Sequence, residues 1–426
     1  MYKFDDTLEF ARKLDEEDIL RSLRDRFYTQ ENVLYMDGNS LGLCSKDAEK
    51  YVLKAIDDWK KYGIDIWTGE ECNYFLYQDK LASLLAALIK ADPDEVTVCT
   101  NTTINIHSTI ATFYKPTEKR NKIIVDDLNF PTDTYAIYSQ IKLHRLDPEE
   151  CLKVVKSRDG NFIYEDDIIE AMTDDVCIVF LPSVLYRSAQ LIDMKKIADA
   201  ARERGIYVGF DLCHSIGCIP HDFKDIDCDF AVWCNYKYLN GGPGAIAGLY
   251  INRKHFKKEP GLAGWQGNKK ETQFDLKQEF EHAEYAGGWQ TGTQPILSMA
   301  PIEGSLNIFK EAGIENIREK SLKLTAYLMY LIDKKLVSYG FSYANPTEDS
   351  KRGGHVALVH EEAIRINKAM KANDIIPDFR FPNVIRLAPV ALYISYQDVY
   401  EMVERIIKIM KNKEYEKYDG ERGVVA

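Results

Sequence analysis

The chain has no uninterrupted run of about 20 apolar residues, the length a helix needs to cross a bilayer, so no membrane span is expected. Its start, MYKFDDTLEFARKLDEED, mixes charges every few residues and lacks the basic opening and apolar stretch of a signal peptide. Cationic excess is missing too. The 55 Lys and Arg stand against 67 Asp and Glu, a formal net charge of −12. That balance argues against a nucleic-acid partner, because phosphate binding needs a clustered cationic face. There is no fixed-period repeat and no low-complexity tract; only the polar tail KNKEYEKYDGERGVVA is expected to fray. Nine cysteines (Cys44, Cys72, Cys99, Cys151, Cys177, Cys213, Cys218, Cys228 and Cys234) lack the dense spacing of a stapled secreted domain, and their odd number also points to reduced thiols. These absences together predict a soluble, cytoplasmic protein that acts on a small molecule.

What is present is enough apolar material for a large core: 426 residues, 45% of them hydrophobic, for which two domains are expected. From about residue 90, short β-branched runs alternate with amphipathic stretches: EVTVCT, NIHSTIATFY, KIIVDD, TDTYAIYSQIKLH and CIVFLPSV. Further on, MKKIADAARERG has helical spacing and is followed by the strand-like IYVGFD and DFAVWC. This alternation predicts a large α/β domain over residues 45–300, with a mostly parallel sheet covered by helices. After about residue 300 one long helical stretch, IEGSLNIFKEAGIENIREKSLKLTAYLMYLIDKKL, leads to HVALVH and NVIRLAPVALY, with a helix around AIRINKAMKAN between them. Residues 301–426, joined by 1–44 folding back, therefore predict a smaller α+β domain.

Ligands of open α/β sheets bind beyond the carboxyl ends of the strands. Thr102, Thr103, Phe130, Asp133, Ser183, Asp211, His214 and Lys237 all follow such runs. Lys237 stands in AVWCNYKYLNGGPGAIAG, between an apolar strand and a glycine-rich turn. Lysine is ordinarily a surface residue, but Trp233, Tyr236 and Tyr238 beside it supply the desolvated setting that a Schiff-base nucleophile requires. Asp211, at the end of IYVGFD, reads alone as a loop or capping carboxylate. Paired with Lys237 after the next strand, it suits the ring nitrogen of a pyridoxal whose aldehyde meets the lysine. CTNTTINIHSTIATF places hydroxyls and amides where a strand gives way to a helix, either as an ordinary N-cap or as a phosphate cradle. In NFPTDTYA, Phe130 suits stacking on a cofactor ring and Asp133 suits accepting a hydrogen bond from it.

Two other signals fail on context. Cys213, His214, Cys218 and His221 match no common zinc spacing, so no metal is expected. GGPGAIAG precedes the strand-like GLYI rather than opening a helix, which is the wrong setting for a dinucleotide fingerprint.

The motifs YMDGNSLG, NFPTDTYA, GFDLCHSIG, WCNYKYLNGGPG, GWQG, GTQPIL and RLAPVALY run in this order over nearly the whole chain. They resemble those of the kynureninase family, pyridoxal 5′-phosphate enzymes of the aspartate-aminotransferase fold. The resemblance implies a homodimer with shared active sites. It also implies hydrolysis of L-kynurenine, or its 3-hydroxy form, to anthranilate or 3-hydroxyanthranilate and L-alanine, in tryptophan catabolism. By motif, Lys237 resembles the Schiff-base lysine, Asp211 the partner of the pyridine nitrogen, His214 its neighbour and Phe130 the stacking ring. Thr102, Thr103, Ser183 and Tyr236 resemble the set that holds the cofactor, chiefly its phosphate, and Asp133 a second carboxylate beside it. Trp265 and Thr293 resemble residues supplied by the neighbouring subunit, and Arg386 the arginine that grips the substrate α-carboxylate. Tyr236, next to the lysine, is the candidate proton carrier for the cleavage step.

Ile64 and Thr293 stand where enzymes that favour the 3-hydroxy substrate tend to carry histidine and asparagine, which implies a preference for kynurenine itself. An aminotransferase of the same fold stays open on fold grounds, and a catalytically silent binding relative is the rival from another class. A cysteine desulfurase is disfavoured, because no cysteine follows Cys234 and the lysine is preceded by Tyr236 rather than histidine.

Overall fold

The β-branched runs between residues 96 and 251 assemble into one seven-stranded sheet in the computed structural model, which describes residues 2–421 and 423. From one edge to the other the strands are Val96–Val98, Gly248–Ile251, Phe230–Trp233, Tyr207–Asp211, Val176–Pro182, Lys122–Asp126 and Leu152–Val155. Gly248–Ile251 runs against both neighbours, and the remaining pairings are parallel. Val176–Pro182 is buried along its whole length, as a parallel strand covered on both faces must be, and this is why it reads as continuous apolar sequence. The parallel directions bring the carboxyl ends of Val176–Pro182, Tyr207–Asp211 and Phe230–Trp233 to one rim. At that rim Ser183 N donates to Asp211 O and Leu212 N to Val232 O.

A second, antiparallel sheet runs Asp378–Arg380, Val384–Leu387, Val356–Val359 and Ser342–Tyr343. The N-terminal segment folds back onto this part of the chain. Leu34–Tyr35 pairs in parallel with Ile375–Ile376, and Ala388 N donates to Met36 O. Asp15 accepts hydrogen bonds from Tyr396 N and Gln397 N, satisfying the first turn of the helix Tyr396–Lys411.

Two sequence expectations change in detail. The single helical stretch after residue 300 is two helices, Ile296–Ala312 and Ile314–Leu331, separated at Gly313, whose φ of +75° a residue with a side chain adopts only at a cost. The first of them begins before residue 300 and packs along Lys46–Tyr62. The polar tail is tied down as far as residue 421: Glu414–Lys417 forms a 3₁₀ turn, and Lys368 Nζ donates to Asp419 Oδ1 and to Glu421 O. Residues 422 and 424–426, where fraying was also expected, lie outside the described residues. All nine cysteines are unpaired thiols, and no helix among the described residues is long and apolar enough to cross a membrane.

Candidate active site

Lys237 is presented by the turn that follows Phe230–Trp233. Trp233 Nε1 donates to Asn235 Oδ1 at 2.9 Å and Asn235 Nδ2 donates to Ile246 O at 2.7 Å, which fixes the turn from inside. From outside, the DGNSLG segment presses on it: Gly42 N donates to Tyr236 O at 2.8 Å, and a Cβ on Gly42 would lie 2.4 Å from Lys237 O. Only glycine permits that approach. The lysine side chain reaches inward, its Nζ 3.0 Å from His214 Nε2. Burial, and then the Lys237 charge, push the pKa of His214 well below its usual value. The ring is therefore neutral, Nε2 accepts from the lysine, and Nδ1 is buried with no hydrogen-bond partner.

Two carboxyl groups lie deeper on the same side. Asp211 Oδ1 accepts from Cys213 N at 2.6 Å, while Asp133 is fully buried, faces Asp211 and Asn129, and has no well-formed hydrogen bond to either oxygen among the described residues. Burial raises the pKa of both, and the proximity of Asp211 raises Asp133 further. Like charges in one dry pocket ionise together only beside a cation, and the Lys237 charge lowers the pKa of both carboxyls without overcoming their burial.

Above the carboxyls, Thr102 and Thr103 open the helix Thr102–Phe113. Asn101 caps it by accepting from Ile104 N at 3.0 Å, and Thr103 Oγ1 bonds Thr132 Oγ1 at 2.8 Å. First-turn amides and the helix dipole suit an anion there. Phe130, 45% exposed, meets Tyr186 edge-on at 5.5 Å.

Arg386, from the small sheet and 1% exposed, borders the same cavity as the lysine. It pairs with Asp378, donates through Nη1 to Tyr186 O at 2.9 Å, and donates through Nη2 to Ser40 Oγ at 3.0 Å. Between these walls lies a cavity of about 330 Å³, bordered by Thr102, Thr103, Phe130, Asp211, His214, Tyr236, Lys237 and Arg386 among others. A wider hollow of about 550 Å³ lies near Lys115, Arg120 and Lys258. Arg120 there is spent on the carbonyls of Asp174, Arg204 and Gly205.

The remaining residues singled out from the sequence sit elsewhere. Ser183 is buried behind the rim, with its hydroxyl on Asp211 O at 2.9 Å and Ser215 Oγ at 2.7 Å, and it does not border the cavity. Trp265, 43% exposed, and Ile64, 79% exposed, lie on the surface, as does Thr293. Conversely, Asn39, Ser40, Thr132, Tyr186, Cys213 and Arg380 border the cavity without having been singled out as site residues. Asn39 and Ser40 lie inside DGNSLG, and that motif was the available signal for them; Tyr186 and Arg380 had none.

A family model described as the kynureninase C-terminal domain matches residues 317–406. A kynureninase of Bacillus thuringiensis subsp. konkukian is 56% identical over 428 residues, covering 100% of each chain. One from Geobacillus thermodenitrificans is 55% identical, covering 99% of this chain and 98% of its own. One from Shouchella clausii is 49% identical with the same coverage, 99% and 98%. Among solved structures, the cystine C–S lyase C-DES with its product cysteine persulfide matches with a TM-score of 0.75 at 16% identity, covering 88% of this chain and 98% of that one. An apo cysteine desulfurase from Thermococcus onnurineus gives 0.74 at 17%, covering 92% and 98%. Those two likenesses bear on the fold, the α/β architecture of the aspartate-aminotransferase type. The full-length identities carry the closer relation: the chain belongs to the kynureninase family.

Proposed function

We propose that this chain hydrolyses L-kynurenine, with one water, to anthranilate and L-alanine, using pyridoxal 5′-phosphate as cofactor. The observation that carries the reading is the meeting of Lys237, from the large sheet, and Arg386, from the small one, on a single cavity. An amine and a guanidinium on one cavity fit the reacting carbon and the α-carboxylate of an amino acid.

The chain's own groups fit the cofactor. The paired carboxyls Asp133 and Asp211, both raised by burial despite the Lys237 charge, suit a protonated pyridine nitrogen. The first turn at Thr102 and Thr103 suits the phosphate, with Tyr236 beside it, and the exposed face of Phe130 suits the ring; Ser183 acts from behind by holding the Asp211 backbone. When bound, pyridoxal phosphate supplies a conjugated sink for the electron pair left at Cα.

The protein does the rest. Arg386 holds the α-carboxylate, and Lys237 takes and returns the Cα proton, with neutral His214 accepting from its Nζ. Tyr236 moves the proton required as the Cβ–Cγ bond breaks. Negative charge at the neighbouring Cys234 sulfur and burial both raise its pKa, so it stays a protonated donor at neutral pH.

Trp265 and Thr293 belong to the same proposal as residues given to a second copy's site. Trp265 contacts Phe274 at 5.7 Å, Phe274 contacts Phe75 at 5.6 Å, and Phe274, Leu276 and Leu76 are exposed beside them, an apolar surface suited to a homodimer. Residues 45–300 then form the cofactor-binding domain and 1–44 with 301–426 the domain that brings the substrate arginine, in a cytoplasmic enzyme. Ile64 and Thr293 offer no histidine or asparagine to a ring hydroxyl, so kynurenine is the preferred substrate; comparable kcat/KM for the two substrates would refute that.

The test is incubation of purified holoprotein with L-kynurenine beside a Lys237→Ala control. Fluorescent anthranilate with equimolar alanine, abolished in the control, is the expected outcome. A visible cofactor band with a keto acid and no anthranilate would instead identify an aminotransferase.

A further inference from the structure

Two thiols meet beneath the cavity. Tyr207–Asp211 and Phe230–Trp233 are parallel neighbours with Asp211 opposite Val232, and Leu212 N donates to Val232 O at 2.8 Å. Carried two residues further, that register sets Cys213 beside Cys234. Neighbouring strands lie about 4.8 Å apart, and a disulfide spans roughly 4.4–6.8 Å between Cα atoms. Cys234 N donates to Cys213 Sγ at 3.2 Å, and the two side chains face each other. Both are free thiols, and neither carries a proton or forms a bond in the proposed reaction.

The two differ in access and in acidity. Cys213 is 6% exposed and borders the cavity, with Thr102 Oγ1 3.9 Å from its sulfur, whereas Cys234 lies behind it at 2%. Burial raises the pKa of Cys213. At Cys234 burial is outweighed by the hydrogen bond with Cys213 and by the Lys237 charge, which together lower it. A thiol reachable from the cavity, backed by a more acidic partner, suits thiol oxidation followed by disulfide closure.

We propose that Cys213 and Cys234 are a peroxide-sensitive pair that closes to a disulfide when the cavity holds no cofactor. The Cys213 proton passes to the Cys234 thiolate, and the Cys213 thiolate attacks the peroxide. The O–O bond breaks, one oxygen leaves as hydroxide, and Cys213 becomes a sulfenic acid. The Cys234 sulfur then displaces the remaining oxygen, which departs as water with the Cys234 proton. Two electrons have passed from the sulfurs to the peroxide. Closure draws Cys213 towards Cys234, away from Thr102 and from the Asp211 oxygen that its N–H holds at 2.6 Å. The cofactor therefore cannot return until a thiol reductant opens the bond, and a bound cofactor shields Cys213. This link to the cofactor rests on the pyridoxal phosphate reading above.

The experiment maps disulfides in the full chain after brief treatment with hydrogen peroxide, with and without pyridoxal phosphate. Trypsin leaves Cys213 and Cys218 in the peptide 205–224 and Cys228 and Cys234 in the peptide 225–237. In the apo protein these peptides should become linked, and added pyridoxal phosphate should then give no visible band until dithiothreitol is supplied. Cys213→Ala should abolish the link, and Cys218→Ala should keep it. Cofactor bound before the peroxide should suppress it. The pair is overturned if the wild-type peptides stay unlinked, if Cys213→Ala links as fully as wild type, or if linked protein takes up the cofactor as reduced protein does. Equal linking with and without cofactor would overturn the shielding. Should Cys213→Ala fail to fold, Cys234→Ser is read by the same map, and a surviving link would overturn the pair. A reduced holoprotein that leaves kynurenine intact would instead refute the proposed reaction, and the peptide map would still decide the pair.

Discussion

The two walls of the cavity hold their charged groups differently. On the large-sheet wall, both oxygens of Asp133 and Nδ1 of His214 are buried without hydrogen-bond partners. On the small-sheet wall, Asn39 and one oxygen each of Asp37 and Asp378 are also buried without hydrogen-bond partners among the described residues, but the charge of Arg386 is met by Asp378, Ser40 and the Tyr186 carbonyl. A buried polar group left unpaired costs about 1–3 kcal/mol, so the first wall is tolerable only as a socket for a group that stays. The second wall must keep its charge dry while substrate and product come and go, and it does so with its own carboxylate. A resident cofactor and a transient substrate thus leave different marks on unliganded protein.

The sharpest test of the first wall is Lys237→Ala, which should lower anthranilate formation by roughly a thousandfold or more, the scale of losing a nucleophile that also moves a proton. Residual activity near wild type would place the chemistry elsewhere. For the second wall, Asp378→Ala strands Arg386 without its carboxylate and should cost about 3–5 kcal/mol in urea-unfolding free energy, besides raising KM. Asp133→Asn should do the reverse to the apo protein. Its folded pKa is raised, so the folded state holds a proton that the unfolded chain gives up near pH 4. Wild-type apo stability therefore falls as pH climbs from about 4 towards the folded pKa, and the variant should lose that slope while its affinity for pyridoxal phosphate drops. If Asp133→Asn destabilised the apo protein as Asp378→Ala does, the contrast between the walls would collapse.

The first wall was far more legible in the sequence than the second. Lys237 and Asp211 end consecutive strands of one parallel sheet, and strand ends can be read from apolar runs because both faces of such a sheet are buried. Arg386 was found through its motif, but Arg380 was not. It ends a three-residue strand, where an arginine ordinarily means surface, and its place beside Arg386 depends on an antiparallel register that no local pattern encodes. Tyr186 lies in a turn without periodicity, and its role begins with a backbone carbonyl, which every residue has. Ser183 shows the converse: its position after a strand was read correctly, yet its hydroxyl turns inward to the Asp211 backbone instead of to the cavity. Trp265, Thr293 and Ile64 cannot be placed on either wall by one chain, because they lie on its surface.

Asp37 on the second wall yields the mildest of these effects. It sits in DGNSLG beside the small sheet, buried, with Oδ1 unpartnered; burial and then the Asp378 charge push its pKa up to about 6. A Ser40 hydrogen bond and the charges of Arg386 and Arg380 pull the other way without winning. Because the folded value lies above the unfolded carboxyl value near 4, the stabilisation is complete at acid pH and is lost as pH rises from about 4 to 6, to an extent below about 3 kcal/mol. Asp37→Asn should flatten that limb of the urea midpoint against pH and leave the slope due to Asp133 in place. Substrate affinity should respond as well. An ionised Asp37 competes for the guanidinium pair, so KM for kynurenine in the wild type should rise across the same interval, and the asparagine variant should hold it level. A KM that rises equally in both proteins would move the titration off Asp37.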